Sequence, residues 1–189
     1  MRTAALPNED VMPIKRSIVA SIALVISSCA ALATAPTDLM PGAVRKDAAD
    51  FRLKDSQGAL IRLSSYKGRV VLLDFWATWC TGCKQEIPWY MAFQDRYKEA
   101  GLSAIGVSLD DDGWKSVKPF LQEHKINYPI VIGNWDMGKH FGFNAMPATL
   151  LIDRDGRIAD VHVGMVDKDA FESEIRILLK ESAAKGTSK

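Results

Sequence analysis

The feature that most constrains the fold is a seven-residue apolar run, Val70-Val-Leu-Leu-Asp-Phe-Trp76, which is followed closely by a helical pattern. Its β-branched and aromatic residues predict a central strand that is buried on both faces. The helix is predicted from about Thr81 to Ala100, with Gly101 as the residue that ends it. A buried strand that leads into a helix indicates an α/β fold in which the helix packs on a sheet.

Further strands and helices are predicted on both sides of this run. The additional strands are expected at 51–53, 60–63, 105–109, 129–132, 149–152 and 157–161. The first two predict a hairpin, and Asp153-Arg-Asp-Gly156 predicts the turn of another. A second helix is expected around Val117–His124. The last helix is expected to begin after Asp167, which would be its N-cap residue. Its core-facing residues are predicted to be Phe171, Ile175, Leu178 and Leu179. Together these elements predict one α/β domain whose sheet is partly parallel and partly antiparallel.

The first 35 residues have the pattern of an export segment. Basic residues precede a charge-free stretch over 17–37, whose centre is almost wholly apolar. Three fates are open: lipidation of Cys29 in a lipobox-like sequence, cleavage after Ala33, or retention as a membrane anchor close to the ~20 residues that span a bilayer. Each fate predicts a periplasmic or otherwise extracytoplasmic domain that meets the membrane only through this segment.

The rest of the chain is predicted to comprise a linker over 36–49, a folded domain over 50–182 and a tail over 183–189. Asp110-Asp-Asp112 is expected to be a solvated loop rather than a calcium site, because no spaced set of ligands follows it.

Charge and cysteine content exclude several classes of protein. With a net charge of +1, the 189-residue chain lacks the basic surface of a protein that binds nucleic acid through its phosphates. Three cysteines cannot build a disulfide-rich scaffold or fill a four-cysteine zinc site. The three histidines are scattered along the sequence, so no metal site is predicted.

Cys80-Thr-Gly-Cys83 lies where the buried strand passes into the helix. A thiol at a helix N-terminus faces free backbone N–H groups and the positive end of the helix dipole, and both favour the thiolate. Cys80 is therefore predicted to be the attacking nucleophile and Cys83 the resolving thiol. Three other uses of the pair are less favoured. A zinc site would need further ligands, and haem attachment would need histidine in place of Lys84. A purely structural disulfide would close only a very short loop, so redox chemistry is favoured.

Four motifs in order resemble one family. Asp74-Phe-Trp-Ala-Thr-Trp-Cys-Thr-Gly-Cys-Lys84 resembles the active-site segment of the thioredoxin superfamily, and Met146-Pro-Ala-Thr149 resembles its cis-proline loop. With Cys83-Lys-Gln-Glu-Ile-Pro88 and Thr149-Leu-Leu-Ile-Asp-Arg-Asp-Gly-Arg157, the set is similar to the TlpA/ResA-type thiol–disulfide oxidoreductases over roughly residues 45–180.

The resemblance implies a thioredoxin-like fold, with a mixed central sheet flanked by helices, an N-terminal β-hairpin and a βα insertion before the cis-proline loop. Gly82 departs from the pattern, because proline is commoner there in this family. The departure removes a rigid φ angle at the start of the helix, and it bears on the stability of the thiolate and on the redox poise.

The resemblance also implies roles for residues around the cysteines. Pro147, in a cis bond, would lie against the pair, and Met146 would line the surface that meets a partner protein. Trp79, next to Cys80 in the sequence, is expected to shield the disulfide and to contribute to substrate binding. Asp74 matches the buried acid of thioredoxins, whose pKa burial should raise, and Glu86 matches a glutamate that lines the active site. The alternatives are a core acid bonded to the backbone for Asp74 and a solvated helix residue for Glu86.

The implied activity is that of a protein-disulfide reductase acting on disulfides in exported client proteins. Candidate clients are the thiols of apocytochrome c or of copper sites, and a membrane thiol-transporting protein would supply electrons. No organic cofactor is expected, because the dithiol itself carries two electrons. One alternative is an oxidant or isomerase of secreted proteins. Another is a peroxidase, which would need threonine and arginine around its cysteine. A third is a module that binds copper(I) or client thiols without turnover.

Overall fold

The structure, a computed structural model, describes residues 38–181. The predictions for the export segment, for Cys29 and for the tail after residue 182 lie outside these residues. The helices and strands are β1 (Arg52–Lys54), β2 (Leu60–Arg62), β3 (Val70–Trp76), α1 (Thr81–Tyr97), β4 (Leu102–Ser108), α2 (Trp114–His124), β5 (Ile130–Ile132), α3 (Trp135–His140), β6 (Ala148–Ile152), β7 (Ile158–Val163) and α4 (Lys168–Lys180). Within the described range, no helix has both the length and the apolar run needed to cross a bilayer.

A five-stranded sheet with the order β5-β4-β3-β6-β7 forms the centre of the domain, and β1 and β2 pair as a separate antiparallel hairpin. Strand β3 runs parallel to β4, and β4 runs parallel to β5, whereas β6 is antiparallel to both β3 and β7. Helices α1 and α4 pack on one face, and the hairpin and α3 cover the other. The predicted thioredoxin-like fold is confirmed.

Strand β3 positions the cysteine pair that follows it, because it lies in the middle of this sheet. All seven of its residues are buried, as the apolar run predicts. Leu72 and Trp76 belong to the core beneath α1 and α4, while Leu73 and Phe75 belong to the core on the opposite face. By alternation, Asp74 therefore lies on the α1 face, where a carboxyl group is surrounded by apolar side chains.

Two boundaries and one helix differ from the prediction for local reasons. Helix α1 ends at Tyr97 rather than at Ala100, because the chain then turns through Gly101, which has a φ of 107° and donates a hydrogen bond to the carbonyl of Lys98. Strand β4 begins at Leu102, directly after this turn, since Leu102 pairs with the first residue of β3.

The third difference is α3, which was not located from the sequence. The side chain of Asn134 caps it by accepting a hydrogen bond from the N–H of Met137. Strand β5 and α3 together form the expected βα insertion between α2 and β6.

Residues 40–48 pack on the domain, whereas the sequence indicated a linker there. Arg45 is buried, and its guanidinium pairs with the carboxylates of Asp153 and Glu181. The carbonyl of Lys46 accepts a hydrogen bond from the N–H of Ile158, so the segment lies beside the start of β7. Two acidic partners at distant positions in the chain compensate the burial of a charge that would otherwise remain in water.

Candidate active site

The Cys80–Cys83 pair forms a disulfide at the N-terminus of α1. Cys80 is the N-cap residue, and its sulfur accepts a hydrogen bond from the N–H of Cys83 at 3.2 Å. Cys80 is 7% exposed and Cys83 is 1% exposed. The two cysteines are therefore not equivalent, because Cys80 keeps some exposure to solvent and Cys83 has almost none.

The cis-proline loop lies against the cysteine loop. The Met146–Pro147 peptide bond is cis. A Cβ atom placed on Gly82 would lie 3.3 Å from Cγ of Pro147 and 3.2 Å from Cγ of Met165. Glycine at position 82 thus allows both side chains to approach the loop closely, and a larger residue would need both to shift. Met165 was not singled out in the sequence, because nothing local connects it with the cysteines.

Three exposed apolar side chains lie on residues next to the cysteine loop or the cis-proline loop. Trp79 is 60% exposed, Val163 is 51% exposed and Met165 is 49% exposed. Trp79 precedes Cys80, Met165 lies beside Gly82, and Val163 is paired with Ala148, the residue after the cis-proline. We call Trp79, Val163 and Met165 the apolar rim. Most of the surface of Trp79 is available to a partner rather than used to cover the disulfide.

Asp74 is buried in the α1 face of the sheet with no compensating contact. It is 1% exposed, and neither carboxyl oxygen has a hydrogen-bond partner in the described part of the chain. Burial raises its pKa well above the ordinary value, and the nearby charge of Glu86 adds to the rise. The alternative of a core acid bonded to the backbone is therefore not what the structure shows, because neither oxygen of Asp74 accepts a bond from the described main chain.

Glu86 is also fully buried, so the alternative of a solvated helix residue is wrong. Its Oε1 accepts a hydrogen bond of 2.7 Å from the N–H of Val166, whereas Oε2 has no partner in the region described. Burial raises the pKa of Glu86, and the bond from Val166 partly opposes that rise. The charge of Glu86 in turn raises the pKa of Asp74, so the protonation of one acid affects that of the other.

Comparison with known proteins agrees with this geometry. Residues 44–161 match the model of the AhpC/TSA family. The chain is 31% identical over 137 residues to the thiol-disulfide oxidoreductase ResA of Bacillus thuringiensis (strain Al Hakam), covering 70% of this chain and 77% of the relative. It is 32% identical over 131 residues to the thioredoxin-like protein YneN of Bacillus subtilis (strain 168), with coverage of 69% and 77%.

A solved structure gives the same result. The crystal structure described as a thiol:disulfide interchange protein DsbE from Chlorobium tepidum matches with a TM-score of 0.68 and 34% identity, covering 71% of this chain and 96% of that one. The chain is a ResA-type thiol–disulfide oxidoreductase of the thioredoxin superfamily. Its Cys-x-x-Cys pair is accordingly the redox centre of an enzyme.

In this ResA-type oxidoreductase a further buried acid, Asp110, holds the loop that leads to Cys80. Its carboxylate accepts hydrogen bonds from the N–H of Thr78 at 3.0 Å, from the Thr78 hydroxyl at 2.6 Å and from the Ser108 hydroxyl at 2.8 Å. Asp110 is 5% exposed, so the prediction of a solvated loop is wrong for this residue. The aspartates on its C-terminal side are exposed, as expected.

Replacing Asp110 with alanine should lower the free energy of unfolding by about 2 kcal/mol or more, because buried donors would lose their acceptor. Urea unfolding of the disulfide-bonded protein measures this. Asp111→Ala is the matched control, since Asp111 is exposed and should change stability by less than about 0.5 kcal/mol. Equal urea midpoints for the two variants would show that Asp110 does not anchor the loop.

The structure also brings together Asp160, His162 and Glu174, none of which was singled out in the sequence. Burial disfavours the charged form of His162, but the attraction of the two neighbouring carboxylates outweighs that effect and raises its pKa. The only sequence signal is the i, i+2 spacing of Asp160 and His162 on one strand face.

Proposed function

We propose that this oxidoreductase works outside the cytoplasm as a reductase of disulfides in exported client proteins. The observation that carries the proposal is the asymmetry of the pair. The Cys80 sulfur accepts a hydrogen bond at the N-terminus of α1, and Cys80 is the more exposed of the two residues, at 7% against 1%. The more exposed cysteine, beside backbone N–H groups, suits attack, and the more buried one suits resolution.

The reaction consists of two exchanges. The reduced protein's Cys80 thiolate attacks one sulfur of a client disulfide, whose S–S bond breaks as a Cys80–client bond forms, and the other client sulfur leaves as a thiolate that takes up a proton. The Cys83 thiolate then attacks the Cys80 sulfur, forms the Cys80–Cys83 disulfide and releases the second client thiolate. Two electrons pass from the dithiol to the client, so no further cofactor is required.

The two buried acids supply a route for the proton of Cys83. Resolution requires the buried thiol to lose its proton, and a proton acceptor works best when its pKa lies near the working pH. Burial raises the pKa values of both Asp74 and Glu86, which makes each carboxylate a stronger proton acceptor than an exposed one. We assign Asp74 as the acceptor, through water, and Glu86 as the second acid that shares the charge of the site.

The apolar rim supports a protein as the substrate. Its three large apolar side chains are about half exposed or more, and exposed apolar groups beside a redox centre suit contact with a partner protein. Met146 is half-buried beside the rim and would contact the same partner. The client classes we propose are the thiols of apocytochrome c and of copper sites. A membrane thiol-transporting protein would be the electron donor, and the domain would meet the membrane only through the N-terminal segment.

A trapping experiment tests this proposal. Cys83→Ala removes the resolving thiol, so mixed disulfides between Cys80 and its clients should accumulate in the native organism and be identified by non-reducing electrophoresis and mass spectrometry. The double variant Cys80→Ser, Cys83→Ala should trap nothing. Exported proteins with cysteine pairs are the expected catch, and a failure to trap any would overturn the assignment.

The direction of transfer is tested by the state of the pair in cells. A reductase that receives electrons from a donor should be mostly in the dithiol form, which alkylation of whole cells followed by a gel shift measures. A mostly oxidised pair in cells with an intact donor would instead support oxidation or isomerisation of secreted proteins.

A further inference from the structure

Three side chains outside the redox centre converge on one point. Asp160 and His162 lie two residues apart on β7 and so share a face of the strand, and Glu174 lies on α4, which packs against that face. Nε2 of His162 lies 3.0 Å from Oδ2 of Asp160 and 2.9 Å from Oε2 of Glu174. The imidazole ring is packed edge-on against Phe171, with 5.1 Å between the ring centroids.

The carboxylates are buried and oriented by the main chain. Asp160 is 8% exposed and Glu174 is 3% exposed. Oδ1 of Asp160 accepts from the N–H of Val161 at 2.6 Å, and Oε1 of Glu174 accepts from the N–H of Asp38 at 3.2 Å. Each carboxylate is thus held through one oxygen and turns the other toward Nε2 of His162.

This arrangement has more acceptors than donors. Oδ2 of Asp160 is buried and accepts no hydrogen bond within the described range, although Nε2 of His162 lies beside it. A single N–H on Nε2 makes one well-directed bond and cannot satisfy two carboxylates equally. Two buried negative charges are more fully compensated by a divalent cation that replaces this proton.

We propose that Asp160, His162 and Glu174 bind a divalent transition-metal ion of the zinc class, at a site separate from the cysteine pair. One imidazole nitrogen and two carboxylate oxygens suit zinc, whereas magnesium and calcium prefer oxygen ligands alone. The three ligand atoms all lie within 4.8 Å of one another. Tetrahedral coordination at about 2.1 Å places ligand atoms about 3.4 Å apart. Nε2 of His162 now lies 3.0 Å from Oδ2 of Asp160 and 2.9 Å from Oε2 of Glu174, so each of these two distances needs to lengthen by only ~0.4 to 0.5 Å.

The surroundings fit such an ion. The His162 side chain is 19% exposed, which leaves room for a water molecule as the fourth ligand. The ion would join β7 to α4 across the segment that carries Met165 and Val166. The site is distinct from the redox centre. On neighbouring strands, His162 pairs with Thr149, and Thr149 pairs with Asp74. Two strand spacings, about 10 Å, therefore separate the backbone of His162 from that of Asp74.

Metal binding to the disulfide form tests this proposal. The full-length chain, without a histidine tag, is oxidised at Cys80–Cys83 and treated with iodoacetamide, so that no free thiol can bind metal. We expect one equivalent of Zn²⁺ in equilibrium dialysis and a rise in Tm that saturates near one equivalent. Co²⁺ should give visible d–d bands without a sulfur-to-metal charge-transfer band.

Matched variants locate the site. Glu174→Gln and Asp160→Asn keep the side-chain shapes and should each weaken Zn²⁺ binding more than ~10-fold. Losing a residue that only hydrogen-bonds to a metal ligand already weakens metal affinity by about 10-fold, so losing a ligand itself should cost more. His162→Ala should abolish it, and His124→Ala on α2 should leave it unchanged. Absence of stoichiometric binding in the oxidised wild type, or equal binding in Glu174→Gln and wild type, would overturn the proposal whether or not His162→Ala folds.

Discussion

Replacing Cys80 with serine should remove the ability of the protein to accelerate the reduction of insulin by dithiothreitol. The serine hydroxyl does not ionise near neutral pH and cannot form the mixed disulfide, and the remaining sulfur, Cys83, is 1% exposed. We expect the rate above background to fall by more than ~100-fold, as happens when a nucleophile is removed from an enzyme. Turbidity of the precipitating insulin chains measures the rate.

Cys29→Ser is the control for this experiment, because it makes the same substitution at a cysteine far from the pair in sequence. It should keep the wild-type rate. If Cys80→Ser accelerates the reaction as well as wild type does, then Cys80 is not the nucleophile and the proposed two-exchange mechanism is wrong.

Features that depend on neighbouring residues could be predicted from the sequence. The apolar run of β3 specified a strand buried on both faces, which the structure confirms. Asp167 was identified as the cap of the last helix, and its carboxylate accepts hydrogen bonds from the N–H groups of Asp169 and Ala170. Such patterns act within one turn or one strand, so local sequence contains the relevant information.

Features that depend on distant residues could not be predicted in this way. Asp110 follows β4 and binds Thr78, which follows β3, because the parallel pairing of these strands brings their ends together. In the sequence it is only the first of three aspartates. Arg45 likewise lies in a stretch with no periodicity, and its partner Glu181 is 136 residues away. His162 and Glu174 meet only because α4 folds back on β7.

Replacing Asp74 with asparagine should stabilise the protein by an amount that grows with pH. In the folded protein burial raises the pKa of Asp74, whereas in the unfolded chain it titrates near 3.9. Between these two values the unfolded state has released a proton that the folded state retains, so the free energy of unfolding falls as pH rises. Asparagine has nearly the same shape and cannot ionise, so the variant lacks this loss.

The difference between Asp74→Asn and wild type should therefore be small near pH 4 and increase by about 1.4 kcal/mol for each pH unit, until the pH reaches the raised pKa of the folded protein. Urea unfolding of the disulfide-bonded forms measures it, since the cysteines do not titrate in that state. Asp111→Asn, at an exposed aspartate, should show no comparable trend. A difference that stays constant from pH 4 to pH 8 would mean that the pKa of Asp74 is not raised in the folded protein, and its carboxylate would then be too weak a base to be an effective acceptor for the proton of Cys83.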